Sequence, residues 1–217
     1  MIARPPLAVP LVALTCFVVL LGLVVSGWPP LERIDAAISA AFREYGESRP
    51  GLIHALRIIT DTAATVPFVS VGIAAFLLLR RAGDRLEAAL CGALTLVVPA
   101  LWILMHLLVP RTRPLDGFVT VDSNGFPSGH TTMATSAALV AVLLLWPRLR
   151  PGRRVLIASL AVGFAFCIGV TRVALLAHWP TDVLGGWLLA LAVVSLAARA
   201  IGRTVALAAP TLPSRDR

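Results

Sequence analysis

The chain has 217 residues, of which 58% are hydrophobic and 14% are charged, and its formal net charge is +8. Its mean hydropathy of +0.88 is far too high for a soluble domain whose surface must meet water. The basic residues lie between apolar runs, and the sequence contains no zinc-like Cys/His spacing, no aromatic-basic stripe and no helix-turn-helix pattern. We therefore expect an all-α, polytopic membrane protein that does not bind nucleic acid.

Six apolar stretches approach the length of about 20 residues that a helix needs to cross a bilayer. They cover residues 8–27, 65–79, 88–109, 131–146, 155–176 and 183–200. The first is expected to be a retained helix, because its apolar core is too long for a secretion signal. We predict a bundle of six transmembrane helices in a single domain, residues 1–203, followed by a flexible cytoplasmic tail, residues 204–217.

The connection after the first span carries apolar residues at helical spacing, with charged residues on the other faces. These apolar positions are Leu31, Ile34, Ile38 and Phe42. A second short apolar pattern follows Pro50. Two short helices at the bilayer surface are therefore expected.

Arginines cluster in the connections on one side of this topology, at residues 80–85 and 148–154 and near both termini. Because arginine-rich connections stay in the cytoplasm, that side and both termini are expected to be cytoplasmic in a plasma membrane. The connections at residues 28–62, 110–130 and 177–182 then face outward. Each of three polar motifs lies at this outer side.

The first motif, residues 110–114, closes the third apolar stretch with the sequence Pro-Arg-Thr-Arg-Pro. Arg111 is expected to mark the membrane interface. Arg113, held between Thr112 and Pro114, is the better candidate for a phosphate ligand, because a guanidinium fork matches phosphate oxygens in pairs.

The second motif, Pro-Ser-Gly-His at residues 127–130, ends a polar loop and enters the fourth apolar helix. Unpaired backbone N–H groups at such a helix start attract phosphate, and Ser128 can add a hydroxyl donor. His130 would then lie beside the bound anion. The alternative is that Ser128 only caps the helix and His130 faces lipid headgroups.

The third motif combines Arg172, His178 and Asp182. In a helical segment, side chains four residues apart share a face, so Asp182 is expected to hold one ring nitrogen of His178 and leave the other free as a nucleophile. Arg172 either extends to lipid phosphates or clamps a substrate phosphate, and the nearby His-Asp pair favours the clamp.

Together the three motifs resemble the signatures of the type 2 phosphatidic acid phosphatase family: Lys-x6-Arg-Pro, Pro-Ser-Gly-His and Ser-Arg-x5-His-x3-Asp. The second signature matches in full, and the third matches with Thr171 in place of its serine. The first matches at Arg113 and Pro114, with His106 at the position of the lysine. The resemblance implies a helical bundle related to the vanadium haloperoxidases, whose vanadate site mimics a phosphoryl group in transfer.

The resemblance also implies a membrane-integral lipid phosphatase that needs no cofactor or metal and forms a phosphohistidine. In family terms, His178 is the nucleophile, Asp182 supports it, and His130 is the general acid and base. The phosphate ligands would be Arg113, Arg172, Ser128, Gly129 and, in place of the lysine, His106. The implied substrates include undecaprenyl diphosphate, phosphatidic acid and phosphatidylglycerol phosphate.

Two alternatives remain open at the level of sequence. His106 binds phosphate when protonated, which predicts a mildly acidic activity optimum, or it only packs within its helix. Because His106 replaces the lysine, the chain could also be a non-enzymatic lipid-phosphate binding or transporter-like membrane protein that retains the phosphate pocket.

Overall fold

The computed structural model describes residues 2–121 and 123–208, and side chains only up to residue 202. Over these residues the protein is helical and contains no β-strand, which confirms the all-α prediction. The helices are α1 (Ala8–Val25), α2 (Pro29–Glu47), α3 (Pro50–Asp61), α4 (Thr65–Arg81), α5 (Arg85–Leu108), α6 (Gly129–Leu145), α7 (Pro151–Ala174) and α8 (Pro180–Ala208). A short 3-10 turn, Trp146–Arg148, follows α6.

Within the described part of the chain, six helical segments are long and apolar enough to cross a membrane, as predicted. They are Ala8–Val25, Pro50–Arg81, Arg85–Leu108, Gly129–Arg148, Pro151–Ala174 and Pro180–Gly202, the second of which joins α3 and α4. α8 continues to Ala208, and the rest of the tail expected over residues 204–217 lies outside the described residues.

The protein core lies between α5, α6 and α8. Leu94 and Val98 of α5 pack with Met133 of α6 and Val194 of α8, and each is almost completely buried. α1 packs on α8, α4 on α5, and α7 on α6. By contrast, none of the described residues of α4 is buried, which suits a helix whose apolar surface meets lipid.

The two predicted short helices of the first connection are α2 and α3, and each begins at a proline. Proline fits the first turn of a helix, because its missing N–H would have no intrahelical acceptor there. α2 turns polar and small residues inward, with Asp35 and Ser39 buried, while Ile34 and Ile38 of its apolar stripe are exposed. Its inward face therefore brings a carboxylate into the protein.

The bundle has two chemically different ends. At one end Ala3 N–H donates to the Leu143 carbonyl, Arg4 contacts the Gly202 carbonyl, and Arg148 pairs with Glu87, so the arginine-rich connections lie together. At the other end α5 and α7 finish, α6 and α8 begin, and α2 and α3 lie beside them. The three motifs all belong to this second end.

Candidate active site

The three motifs line one cavity of about 180 Å³ at the second end of the bundle. Arg113 comes from the first motif, His130 from the second, and Arg172 and His178 from the third. The rest of the wall consists of Gly129, Thr65, Trp102, Val121 and Ser123. The cavity therefore combines two imidazoles with two guanidinium groups.

Helix ends position these side chains. α5 gives way to extended backbone at Val109, and α6 begins at Gly129 after extended Ser128. The first backbone N–H groups of α6 have no acceptor within the helix. α8 begins at Pro180, so His178 lies in the turn between α7 and α8. The active groups thus stand where helices start and stop, at the edge of the apolar core.

His178 is held as a neutral imidazole with one defined tautomer. Its Nδ1 lies 2.8 Å from the Gly125 carbonyl oxygen, which can only accept, so Nδ1 carries the proton. Its Nε2 lies 3.0 Å from Nη1 of Arg113 and accepts a hydrogen bond from it. Burial lowers the pKa of His178 well below its usual value, and the positive charges of Arg113 and Arg172 lower it further. The single lone pair of Nε2 is therefore engaged by Arg113 in this structure.

Asp182 does not form the predicted hydrogen bond with His178. Its Oδ2 lies 3.6 Å from His178 Nδ1 and instead accepts from the backbone N–H of Trp179 at 2.9 Å. His178 precedes the first residue of α8, and its Nδ1 bonds the Gly125 carbonyl, so the carboxylate stays beside the ring without a hydrogen bond to it. The Gly125 carbonyl occupies the position expected for the carboxylate.

Arg111, expected only to mark the membrane interface, is a partly buried cation that pairs with two carboxylates. Its Nη2 lies 2.6 Å from Oδ2 of Asp35 and its Nη1 lies 2.6 Å from Oδ1 of Asp182. The side chain is only 13% exposed. Two buried carboxylates need a counter-charge, and Arg111 supplies it.

The two cavity arginines are fixed by different partners. Arg113 donates from Nε to the Ser123 carbonyl at 2.7 Å and from Nη2 to the Asn124 carbonyl at 2.9 Å. Arg172 is 4% exposed and donates from Nη1 to the Thr60 hydroxyl at 3.2 Å, while its Nε has no hydrogen-bond partner among the described residues. Unsatisfied donors and positive charge favour an anion in the cavity.

Ser128 and His106 lie next to the cavity rather than in its wall. Ser128 is fully buried behind Gly129, and its hydroxyl accepts from Thr131 at 2.9 Å. His106 donates from Nδ1 to the Trp102 carbonyl at 3.0 Å, and its Nε2 has no partner within the described chain. His106 lines a larger, open pocket of about 600 Å³ that shares Arg113 with the cavity.

Comparison with known proteins identifies the family. The model of the PAP2 superfamily matches residues 63–205, which include all three motifs. The chain belongs to the PAP2 superfamily.

Two bacterial relatives illustrate the similarity. The chain is 30% identical to the Escherichia coli protein named "Putative undecaprenyl-diphosphatase YbjG" over 165 residues, covering 73% of this chain and 78% of that protein. It is 43% identical to phosphatidylglycerophosphatase B of Escherichia coli over 72 residues, 33% of this chain. The match spans only 27% of the length of phosphatidylglycerophosphatase B.

A solved structure agrees in fold. The transmembrane PAP2 type phosphatidylglycerolphosphate phosphatase from Bacillus subtilis superposes with a TM-score of 0.74 at 24% sequence identity. The alignment covers 91% of this chain and 97% of that one. The helical bundle of this PAP2 protein is therefore that of a known membrane phosphatase structure.

Sequence analysis missed four residues that shape the site: Asp35, Gly125, Arg111 and Trp102. For Asp35 the signal was a carboxylate on the polar face of an amphipathic helix. If that face is buried, the carboxylate needs a cation beside it. For Gly125 and Trp102 no sequence pattern points to the cavity, because a carbonyl oxygen and an indole N–H acquire their roles only through the fold.

Proposed function

We propose that this PAP2 protein hydrolyses lipid phosphates or diphosphates through a phosphohistidine on His178. One observation carries the proposal: a neutral imidazole faces a cavity whose wall also holds two arginines and a second histidine. A binding site for phosphate needs the arginines alone. A nucleophilic nitrogen and a second imidazole suit phosphoryl transfer.

In the first step, Arg113 exchanges its hydrogen bond to Nε2 of His178 for one to a phosphoryl oxygen, which frees the Nε2 lone pair. Nε2 then attacks phosphorus while the bond from phosphorus to the lipid oxygen breaks. His130 protonates the departing oxygen, which leaves as the lipid product. The new phosphoimidazolium keeps its Nδ1 proton, which the Gly125 carbonyl accepts as a hydrogen bond at the observed 2.8 Å. The Asp182 carboxylate, 3.6 Å from the same nitrogen, stabilises the positive charge electrostatically.

In the second step, His130 takes a proton from a water molecule, which attacks phosphorus and breaks the bond to Nε2 of His178. Inorganic phosphate leaves, and both imidazoles return to their starting states. Arg113, Arg172 and the N–H groups at the start of α6 balance the charge on the phosphoryl oxygens in both steps. Ser128 supports this helix start from behind Gly129.

The substrate class that we favour is an isoprenoid diphosphate, with phosphatidylglycerol phosphate and phosphatidic acid as the other candidates. The relative with the longer alignment is named for undecaprenyl diphosphate. The pocket that adjoins the cavity through Arg113 is lined by His106 and Asn124, and it suits a second phosphate on the leaving group.

An apolar groove next to the cavity supports a lipid substrate. It encloses about 280 Å³ and runs along Ala134 and Ala137 of α6, beginning one helical turn beyond His130. Ala63 and Pro67, on either side of the cavity residue Thr65, form its other wall. A hydrocarbon chain in this groove would descend toward the membrane interior from a phosphate held at His130.

Phosphate release by the purified protein tests the proposal. The substrates are farnesyl diphosphate and short-chain and long-chain phosphatidic acid and phosphatidylglycerol phosphate, assayed in detergent with EDTA, with and without vanadate. We expect vanadate-sensitive turnover that is abolished in His178→Ala. The control is His54→Ala, because His54 is an exposed histidine on α3 outside the cavity.

A His130→Ala variant separates the two histidine roles. It is expected to release a leaving group that needs no proton, such as a nitrophenol, and to accumulate phosphoenzyme, whereas His178→Ala forms none. Normal turnover by His178→Ala would refute the assignment of His178 as the nucleophile. Tight vanadate binding without any phosphate release would favour the alternative of a lipid-phosphate binding or transporter-like protein, for which His106 at the lysine position is the supporting feature.

A further inference from the structure

Trp102 presents an unsatisfied donor at the phosphate cavity. Its side chain belongs to α5 and lines the cavity together with His130, Arg172 and His178. The indole Nε1 is buried and has no hydrogen-bond acceptor among the described residues. An indole N–H only donates, and buried tryptophans normally satisfy it.

The position of this N–H is defined by the start of α6. A Cβ atom added to Gly129 would lie 2.6 Å from Nε1 of Trp102, so the glycine of the second motif lets the indole approach the helix N-terminus. On its other side the indole packs against His106, with ring centroids 4.6 Å apart. Nε1 therefore lies against the first residue of α6, and Trp102 shares the cavity wall with Gly129 and Arg172.

We propose that the indole N–H of Trp102 donates a hydrogen bond to a phosphoryl oxygen of the substrate, as a further phosphate-binding residue. This inference rests on the proposed function, since it needs a phosphoryl group in the cavity. The chemistry of the site supports it: the cavity carries two cationic side chains, and an anionic oxygen is the acceptor that such a wall attracts. Trp102 adds a donor without adding charge.

The other tryptophans offer a matched control. Trp187 of α8 donates from Nε1 to the Ala165 carbonyl at 3.1 Å, away from the cavity. Trp187→Phe removes a satisfied indole N–H, so it should lower thermal stability and leave anion affinity unchanged. Trp102→Phe removes an indole N–H that has no acceptor among the described residues, so it should not lower thermal stability through a lost hydrogen bond. It should instead weaken anion binding.

The experiment measures vanadate affinity by thermal shift and by inhibition of phosphate release for wild type, Trp102→Phe and Trp187→Phe. We expect vanadate to bind Trp102→Phe about 10- to 100-fold more weakly than wild type, the range for a lost hydrogen bond to a charged group. Trp187→Phe is expected to bind as wild type does. Affinity within twofold of wild type in Trp102→Phe would overturn the inference.

A second measurement uses the unmodified protein and does not depend on folding of the variant. In ¹⁵N-labelled wild type, the indole N–H resonance of Trp102, assigned by elimination with the other tryptophan variants, should move downfield when vanadate binds. A resonance that stays in place while vanadate binds would overturn this inference but leave the proposed function intact. A wild type that neither binds vanadate nor releases phosphate would overturn the proposed function and this inference together.

Discussion

At the residue scale, the proposed mechanism depends on a neutral His178 in a positively charged pocket. Its side chain is 3% exposed, and two arginines lie close enough to lower its pKa. In the proposed mechanism the same arginines bind the phosphate, so the attacking group is uncharged and the binding groups are charged. The hydrogen bond from Nδ1 to the Gly125 carbonyl leaves Nε2 as the nitrogen that would attack.

The first prediction concerns the titration of His178. Burial, then Arg113 and Arg172, lower its pKa, so its ¹⁵N signals should remain those of the Nδ1-protonated neutral form at acidic pH values where an exposed histidine is already protonated. Arg172→Gln removes one positive charge, so the pKa of His178 should rise and the ring should titrate at higher pH. NMR of histidine-labelled protein, which contains 4 histidines, measures this.

The matched control is Arg33→Gln, which makes the same change in charge at an exposed position of α2. It should leave the titration of His178 unchanged. A pKa of His178 that is unmoved or lowered in Arg172→Gln would contradict the electrostatic account.

The second prediction concerns His106, which stands where the family has lysine. An imidazole is charged only below about pH 6.5, whereas a lysine amine keeps its charge to about pH 10. His106→Lys should therefore extend phosphatase activity toward alkaline pH, because Nε2 of His106 has no partner among the residues that the structure describes and its pocket shares Arg113 with the cavity. The measurement is the pH profile of kcat/KM.

His54→Lys, on the exposed face of α3, makes the same substitution away from both pockets and should keep the wild-type profile. If His106→Lys also keeps the wild-type pH profile, His106 does not bind the substrate phosphate and only packs within its helix.

Short motifs made the cavity residues predictable, because each motif places its side chains within a few positions of a helix end. The partners of those side chains were not predictable in the same way. Gly125 reaches His178 across 53 positions, and Arg111 reaches Asp182 across 71. Such contacts depend on how the helices pack, and no local spacing encodes them.

At the element scale, an ion-pair network joins α2 to the rest of the helical bundle. Asp35 of α2 pairs with Arg111 after α5 and accepts from the backbone N–H of Thr181 at 3.0 Å in the first turn of α8. Arg111 also pairs with Asp182. Three separate elements are therefore held around the turn that carries His178.

The third prediction is that Asp35→Ala destabilises the protein strongly. Removal of one partner of a buried pair costs about 3–5 kcal/mol, because the remaining charge loses its compensation. The measured quantity is Tm in detergent. Arg111→Met should lower Tm further, since it leaves both Asp35 and Asp182 without this cation.

The double variant should be less destabilised than the sum of the two single variants, because both remove the same interaction. Glu44→Gln is the control, as Glu44 is an exposed carboxylate on the same helix. Equal Tm values for Asp35→Ala and Glu44→Gln would contradict a structural role for the ion pair.

The existence of the helices followed from the sequence, but the inward face of α2 did not. Apolar periodicity predicted a helix at the bilayer surface, and α2 is indeed helical from Pro29 to Glu47. In a membrane protein, however, an apolar stripe can face lipid as well as protein. The face that packs on the bundle is instead the one that carries Asp35 and Ser39.

At the scale of the whole molecule, the fold separates an arginine-rich end from the end that holds the cavity. The basic connections meet around Arg148 and the N-terminus, and the motifs meet at the opposite ends of the same helices. Because arginine-rich connections stay in the cytoplasm, we propose that the cavity opens at the outer face of a plasma membrane. A lipid phosphate could then reach His178 without leaving the bilayer.

The fourth prediction tests this orientation with cysteines at exposed positions of the two ends. Ser48→Cys, between α2 and α3, should react with a membrane-impermeant maleimide in intact spheroplasts. Arg153→Cys, in the first turn of α7, should react only after permeabilisation. The wild-type protein is the control for background labelling of its native cysteines, Cys16, Cys91 and Cys167. The reverse pattern of labelling would put the cavity on the cytoplasmic side.

The fifth prediction concerns the course of phosphoryl transfer, and the stereochemistry at phosphorus tests it most directly. The substrate is a lipid thiophosphate made chiral with oxygen isotopes and hydrolysed in isotopically labelled water. Two successive in-line displacements, first by His178 and then by water, predict retention of configuration in the released thiophosphate. Inversion would mean that water attacks directly and would contradict the phosphohistidine.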